Sequence, residues 1–179
     1  MEQIEQSGLI IEICQDENPD SPRENDNVGT MVCWHNRYKL GDKHDFQTPQ
    51  DFNEWKNLEI STGEDFTILP LYLYDHSGIT MSVNQFSCPW DSGQVGWIFV
   101  TKSKLKKEKI DIKRAEDILR AEVEEYDKYL TGDVWGYVIK DGKNVLGSCW
   151  GFYDKEYMLE EAKTETKTIA ENLAIGNNI

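Results

Sequence analysis

The chain has 179 residues, with 33 Asp and Glu against 19 Lys and Arg for a formal net charge of −14, and 11% of its residues are aromatic. That length predicts one domain over 1–179 with a sizeable core, and the aromatic content excludes a fully disordered chain. No apolar run reaches the roughly 18 residues of a membrane span, and the acidic start MEQIEQSGLI lacks the basic region of a secretory signal; the expectation is a soluble, cytoplasmic protein with no membrane partner.

From the N-terminus, the apolar and β-branched run over 8–14 reads as a strand, ended by a polar loop carrying Pro19 and Pro22. A second strand is expected over 28–35. Thr48, Pro49 and Asp51 then spell a helix start, with a capping hydroxyl, a proline at the first helical position and an acid three residues after the cap. Phe52 and Trp55 fall on the inner face of that helix. The run over 67–74 predicts an edge or bent strand, because Pro70 has no N–H for a ladder. A turn at Ser77-Gly78 leads into a strand over 79–83, and 95–101 is the strongest central strand. Ile112, Ala115, Leu119, Val123, Tyr126 and Leu130 recur at helical spacing, with Gly132 at the end. Asp141-Gly142 between two apolar runs predicts a β-hairpin. A final helical stripe follows at Leu159, Ala162, Thr166, Ile169 and Leu173. Hairpins mixed irregularly with helices predict an α+β fold, a mostly antiparallel sheet with amphipathic helices packed on one face.

Cys14, Cys33, Cys88 and Cys149 lie far apart with no CxxC pair, so neither a zinc clip nor a dithiol motif is present. There is also no P-loop, no dinucleotide-binding glycine pattern and no GxSxG. No cofactor and no metal are expected.

The densest block of polar and aromatic residues runs from Cys33 to Phe46 and holds two of the three histidines. Two imidazoles beside a cation suit metal-free RNA cleavage: one takes the 2′-hydroxyl proton, the other protonates the leaving oxygen, and a cation holds the charged phosphorus centre. On that pattern His35 and His44 are the acid–base pair and Asp45 the orienting carboxylate. Arg37 and Lys43 are the phosphate contacts, and Lys102, Lys104, Lys106 and Lys107 hold the RNA backbone. His76, inside Asp75-His76-Ser77, reads as part of a turn whose Asp caps backbone amides. The hairpin aromatics, among them Trp135, Tyr137 and Trp150, fit core packing better than base stacking. The acidity is uneven, −10 over residues 1–70 against −4 over 71–179, and it suits either a solvated surface or an imitation of the phosphates of nucleic acid.

The strings SPRENDNVGTMVCWHNRYKLGDKHDF, LPLYLYDHSGITMS, CPWDSGQVGWIFVT, AEVEEYDKYLTGDVWGY and SCWGFY span about residues 21–153. They resemble a family of small acidic proteins carried by phages, plasmids and other bacterial mobile elements. Size and charge are similar to those of anti-CRISPR proteins, including a type II-A inhibitor of streptococcal mobile elements that shortens the guide RNA of Cas9. The resemblance implies an inhibitor of host defence in the bacterial cytoplasm, with Cas9 or the Cas9–guide RNA complex and the guide RNA as partners, and ribonucleolytic shortening as one mode. It transfers no catalytic position, so the site residues remain those named above. The alternative is a non-enzymatic acidic mimic that blocks a restriction or CRISPR nuclease.

Overall fold

A computed structural model describes residues 2–176 of the chain. In chain order its strands are β1 (Glu2–Gln6), β2 (Leu9–Gln15), β3 (Thr30–Cys33), β4 (Phe66–Asp75), β5 (Ile79–Ser82), β6 (Ser92–Thr101), β7 (Trp135–Asp141) and β8 (Asn144–Phe152). Its helices are α1 (Pro49–Ser61), α2 (Lys102–Glu108), α3 (Ala115–Thr131) and α4 (Lys155–Gly176). All strand pairings are antiparallel, and the fold is α+β. Length alone pointed to one domain over 1–179; the packing sorts the chain into two compact units, Ser21–Thr131 and a terminal unit of Met1–Asp20 with Gly132–Ile179. Among the described residues no helix is long and apolar enough to cross a membrane.

The terminal unit is a four-stranded sheet in the order β1-β2-β7-β8. Period-2 alternation sends Leu9, Ile11 and Ile13 of β2 and Tyr137 and Ile139 of β7 to one face, where Met158 and Ala162 of α4 cover them. Thr166 is fully buried on the same helix stripe and returns its hydroxyl to the Ala162 carbonyl at 2.7 Å. β1 was missed in the sequence because EQIEQ is polar. It exists because Ser7 and Gly8 both take positive φ, 55° and 79°, which is what a tight hairpin demands.

The central unit is a four-stranded sheet in the order β3-β6-β4-β5, with helices on both faces. α1 begins with the capping box of Thr48 and Asp51 and lays Phe52 and Trp55 on Phe99, Trp97 and Phe66. α3 covers the opposite face, where Leu119, Val123 and Tyr126 pack with Met31, Leu69, Leu71 and Ile98. β4 lies inside the sheet and not at its edge, yet its Pro70 obeys the chemistry that suggested an edge. β5 pairs only with residues 72–75 of β4, so at Pro70 the strand has a single neighbour, β6, and a bulge follows between Leu71 and Tyr72. Gly96 of β6 is required by close approach: a Cβ there would collide with the Val32 carbonyl of β3.

Candidate functional site

The loop after β3 carries the residues singled out in the sequence. Its outer half is held from below by an ionic knot. Arg23, 3% exposed, donates to Asp42 through Nε and Nη2 (both 2.8 Å) and to Glu122 of α3 at 2.9 Å. Asp42 also accepts the Met31 amide at 2.8 Å, and Glu122 accepts the Val28 and Gly29 amides. Burial opposes the guanidinium charge, but the hydrogen bonds and charges of Asp42 and Glu122 outweigh it, so the Arg23 pKa is raised. The Gly41 amide bonds the Tyr126 hydroxyl at 3.0 Å, which pins the loop to α3 a second time. Beneath it, burial first and the Asp42 charge second push the Cys33 thiol up to about 12, so this cysteine is inert as a nucleophile.

The loop encloses a hollow of about 650 Å³ whose lining includes His35, Lys43 and His44. Three expected residues are therefore brought together, but their nitrogens do not point as acid–base chemistry needs. His44 Nε2 lies 3.1 Å from the Cys33 carbonyl, which can only accept, so the ring proton sits on Nε2. Its Nδ1 is buried without a partner, and the ring is packed against Trp34 and Phe46. His35 Nδ1 accepts the amides of Arg37 and Tyr38, both at 3.3 Å, which places its proton on Nε2. Neither imidazole presents a lone pair to a substrate in the hollow. In this arrangement His44 is held as a packed ring, and His35 offers a hydrogen-bond donor. Asp45 orients neither ring, because backbone groups hold both, and its side chain is exposed.

Arg37 pairs with Asp75 at the end of β4, and the Tyr38 hydroxyl reaches the same carboxylate at 3.4 Å while its ring stacks on His35 at 5.0 Å. Asp75 therefore binds side chains from the β3 loop and does not cap the following turn. Next to it, the Asp75 amide bonds the Asp91 carbonyl at 2.8 Å, and the Asp91 carboxylate takes His76 Nδ1 at 3.2 Å and the Cys88 thiol at 3.8 Å. Tyr38 was given no role in the sequence, and the meeting of Asp75 with Asp91 was not legible there, since it depends on β4 and β6 running side by side. Lys43 is exposed. Among the described residues no group of three or more His, Cys, Asp and Glu side chains is placed to hold a metal.

The lysine stretch forms α2, a helix missed in the sequence, capped by Thr101 and anchored by the buried Leu105. Its four proposed RNA contacts divide. Lys102 is tied to Asp65 at 2.9 Å, a bond and charge that raise its pKa, and Lys104 donates to the Asn27 carbonyl at 2.8 Å. Lys106 and Lys107 are exposed and unpaired. Overall charge divides too: the terminal unit holds 14 acidic residues against 5 basic ones, with no base in its first twenty residues, and the central unit holds 19 against 14. Comparison with protein-family models, curated proteins and solved structures gives no match to this chain.

Proposed function

We propose that the protein is an inhibitor of bacterial host defence that works by binding: its acidic terminal unit occupies a cationic, nucleic-acid-binding surface of a Cas9–guide RNA complex. The observation that carries the reading is the charge of that unit, −9 in 68 residues, which do not include the lysines of α2. A surface of one sign steers association with the opposite sign and suppresses binding to phosphate backbones. The choice of a Cas9 complex as target rests on the sequence resemblance. A ribonuclease that shortens the guide RNA is the second reading, favoured by one observation: His35, whose Nδ1 is held by backbone amides, lines a hollow together with Lys39 and Lys43.

The test is incubation of the protein with a Cas9–guide RNA complex, followed by a DNA-cleavage assay and a denaturing gel of the RNA. Binding inhibition gives lost DNA cleavage with intact guide RNA, and the inhibition weakens as salt rises. Shortened RNA that persists in EDTA, and is abolished by His35→Ala, overturns that reading in favour of the nuclease. Full DNA cleavage with intact RNA removes both.

A further inference from the structure

The terminal unit contains its own hollow, of about 780 Å³, separate in the chain from the β3 loop and lined by Glu2, Asp16, Glu17, Trp135, Trp150 and Lys155 among others. Part of it is already filled by an internal cation. The Lys155 ammonium stands 4.3 Å from the centre of the Trp135 ring and pairs with Glu2 at 2.8 Å. The Trp135 indole N–H is satisfied by Asp133 at 2.7 Å, which fixes that ring as a wall. Trp150 reaches from β8 to lie over Gly136 of β7, its ring standing where a Cβ of residue 136 would be. It remains 46% exposed and has no cation of its own. Nearby, the Asp16 carboxylate takes only the Asn18 amide, at 3.1 Å, and Glu17 is exposed without an ionic partner.

We propose that this hollow seats an arginine side chain from a basic segment of a partner protein, against Trp150 and with Asp16 and Glu17 as counter-charges. Lys155 on Trp135 shows the same chemistry satisfied within the chain, and Trp150 repeats its aromatic half with the cation left out. Indole faces attract cations, and a guanidinium both stacks on the ring and offers a fork of donors to carboxylates. A nucleic-acid ligand would meet repulsion from Glu2, Asp16 and Glu17, and a neutral apolar ligand would leave those charges unused. Exposed tryptophan lining such a pocket is also a residue type enriched among those that dominate interface energetics.

The inference rests on the binding reading of the acidic unit and names its partner's chemistry. The test is calorimetric titration of the full chain with a short oligoarginine peptide, and with oligolysine of equal length. Saturable binding is expected, tighter for oligoarginine. Trp150→Ala and the double variant Asp16→Asn/Glu17→Gln should each weaken it about tenfold. Glu160→Gln/Glu161→Gln, on the exposed face of α4, should change it less than about twofold. Native-like binding by the Asp16/Glu17 variant, or equal weakening by the α4 variant, overturns the seat and leaves only bulk charge attraction. If Trp150→Ala does not fold, as judged by circular dichroism, the Asp16/Glu17 variant decides alone. The two readings fail separately. Cas9 inhibition that survives the Asp16/Glu17 change removes the arginine seat and keeps the inhibitor; oligoarginine binding without any effect on Cas9 does the reverse.

Discussion

The two units spend their charged residues differently. In the central unit, Arg23, Asp42 and Glu122 are turned inward, where they join the 21–29 loop, the β3 loop and α3 through two ion pairs and several backbone amides. In the terminal unit Lys155 pairs with Glu2 at the surface, and Lys140 with Glu12 in a half-buried position across β2 and β7, with no cation among its described residues fully enclosed as Arg23 is. The difference teaches where to look for function. Charges that hold loops to a core are silent toward partners, whereas an unbalanced excess of one sign at a surface is available to them.

The largest effect that would break this contrast comes from Arg23→Ala. It leaves two carboxylates at the core margin without their cation, and the expected loss is about 3–5 kcal/mol of unfolding free energy, read from the urea midpoint at constant slope. Lys155→Ala, by comparison, should cost about 1 kcal/mol or less, since its partners stay hydrated. Similar losses for the two would mean that the terminal pair is as structural as the central knot.

A middle-sized effect sharpens the comparison from the other side, because the terminal unit also ties a carboxylate of α4 to its sheet. The Tyr137 hydroxyl donates to Glu165 of α4 at 2.5 Å, and burial together with that carboxylate raises the Tyr137 pKa. Tyr137→Phe keeps the ring and removes a hydrogen bond to a charged acceptor, for an expected cost of about 1.5 kcal/mol in the same urea titration. No measurable change would mean that Glu165 is fully served by water, and that the terminal unit is held by its apolar stripe alone.

How far this division could be read from the sequence depends on range. The α1 start was legible because Thr48, Pro49 and Asp51 act within one turn, and the β7–β8 hairpin because Asp141-Gly142 is local chemistry. α3 announced itself through the spacing of Leu119, Val123 and Tyr126, though Ile112, placed first in that stripe, is exposed in a 3₁₀ turn ahead of the helix. α2 stayed hidden because a helix with one buried residue, Leu105, has no stripe to see. The histidine block was legible as a local cluster, but the contacts of its rings were not. Which nitrogen carries the proton is set by the Cys33 carbonyl and by the amides of Arg37 and Tyr38, and composition does not encode those contacts. Arg23 was likewise invisible, as its two partners lie 19 and 99 residues away.

The smallest expected effect concerns a half-buried carboxylate of the central unit that lacks a cation, and it tests whether inward charges there are tolerated only when paired. Asp127 of α3 accepts the Met81 amide at 2.7 Å, and burial raises its pKa above the ordinary 3.8 although that amide bond works in the opposite direction. A raised folded-state value means that the folded protein holds this proton more firmly than the unfolded chain. The group's contribution to stability is therefore full below its unfolded pKa and is lost as pH rises through the folded one. Asp127→Asn keeps an oxygen for the Met81 amide and removes the ionisation. The unfolding free energy of the variant minus that of the native chain should then grow as pH is raised from the unfolded carboxylate value through the higher folded one, and level off above it. A difference that stays flat would show that the Met81 hydrogen bond fully offsets the burial of the charge, and the central unit would then accept an inward carboxylate without an arginine beside it.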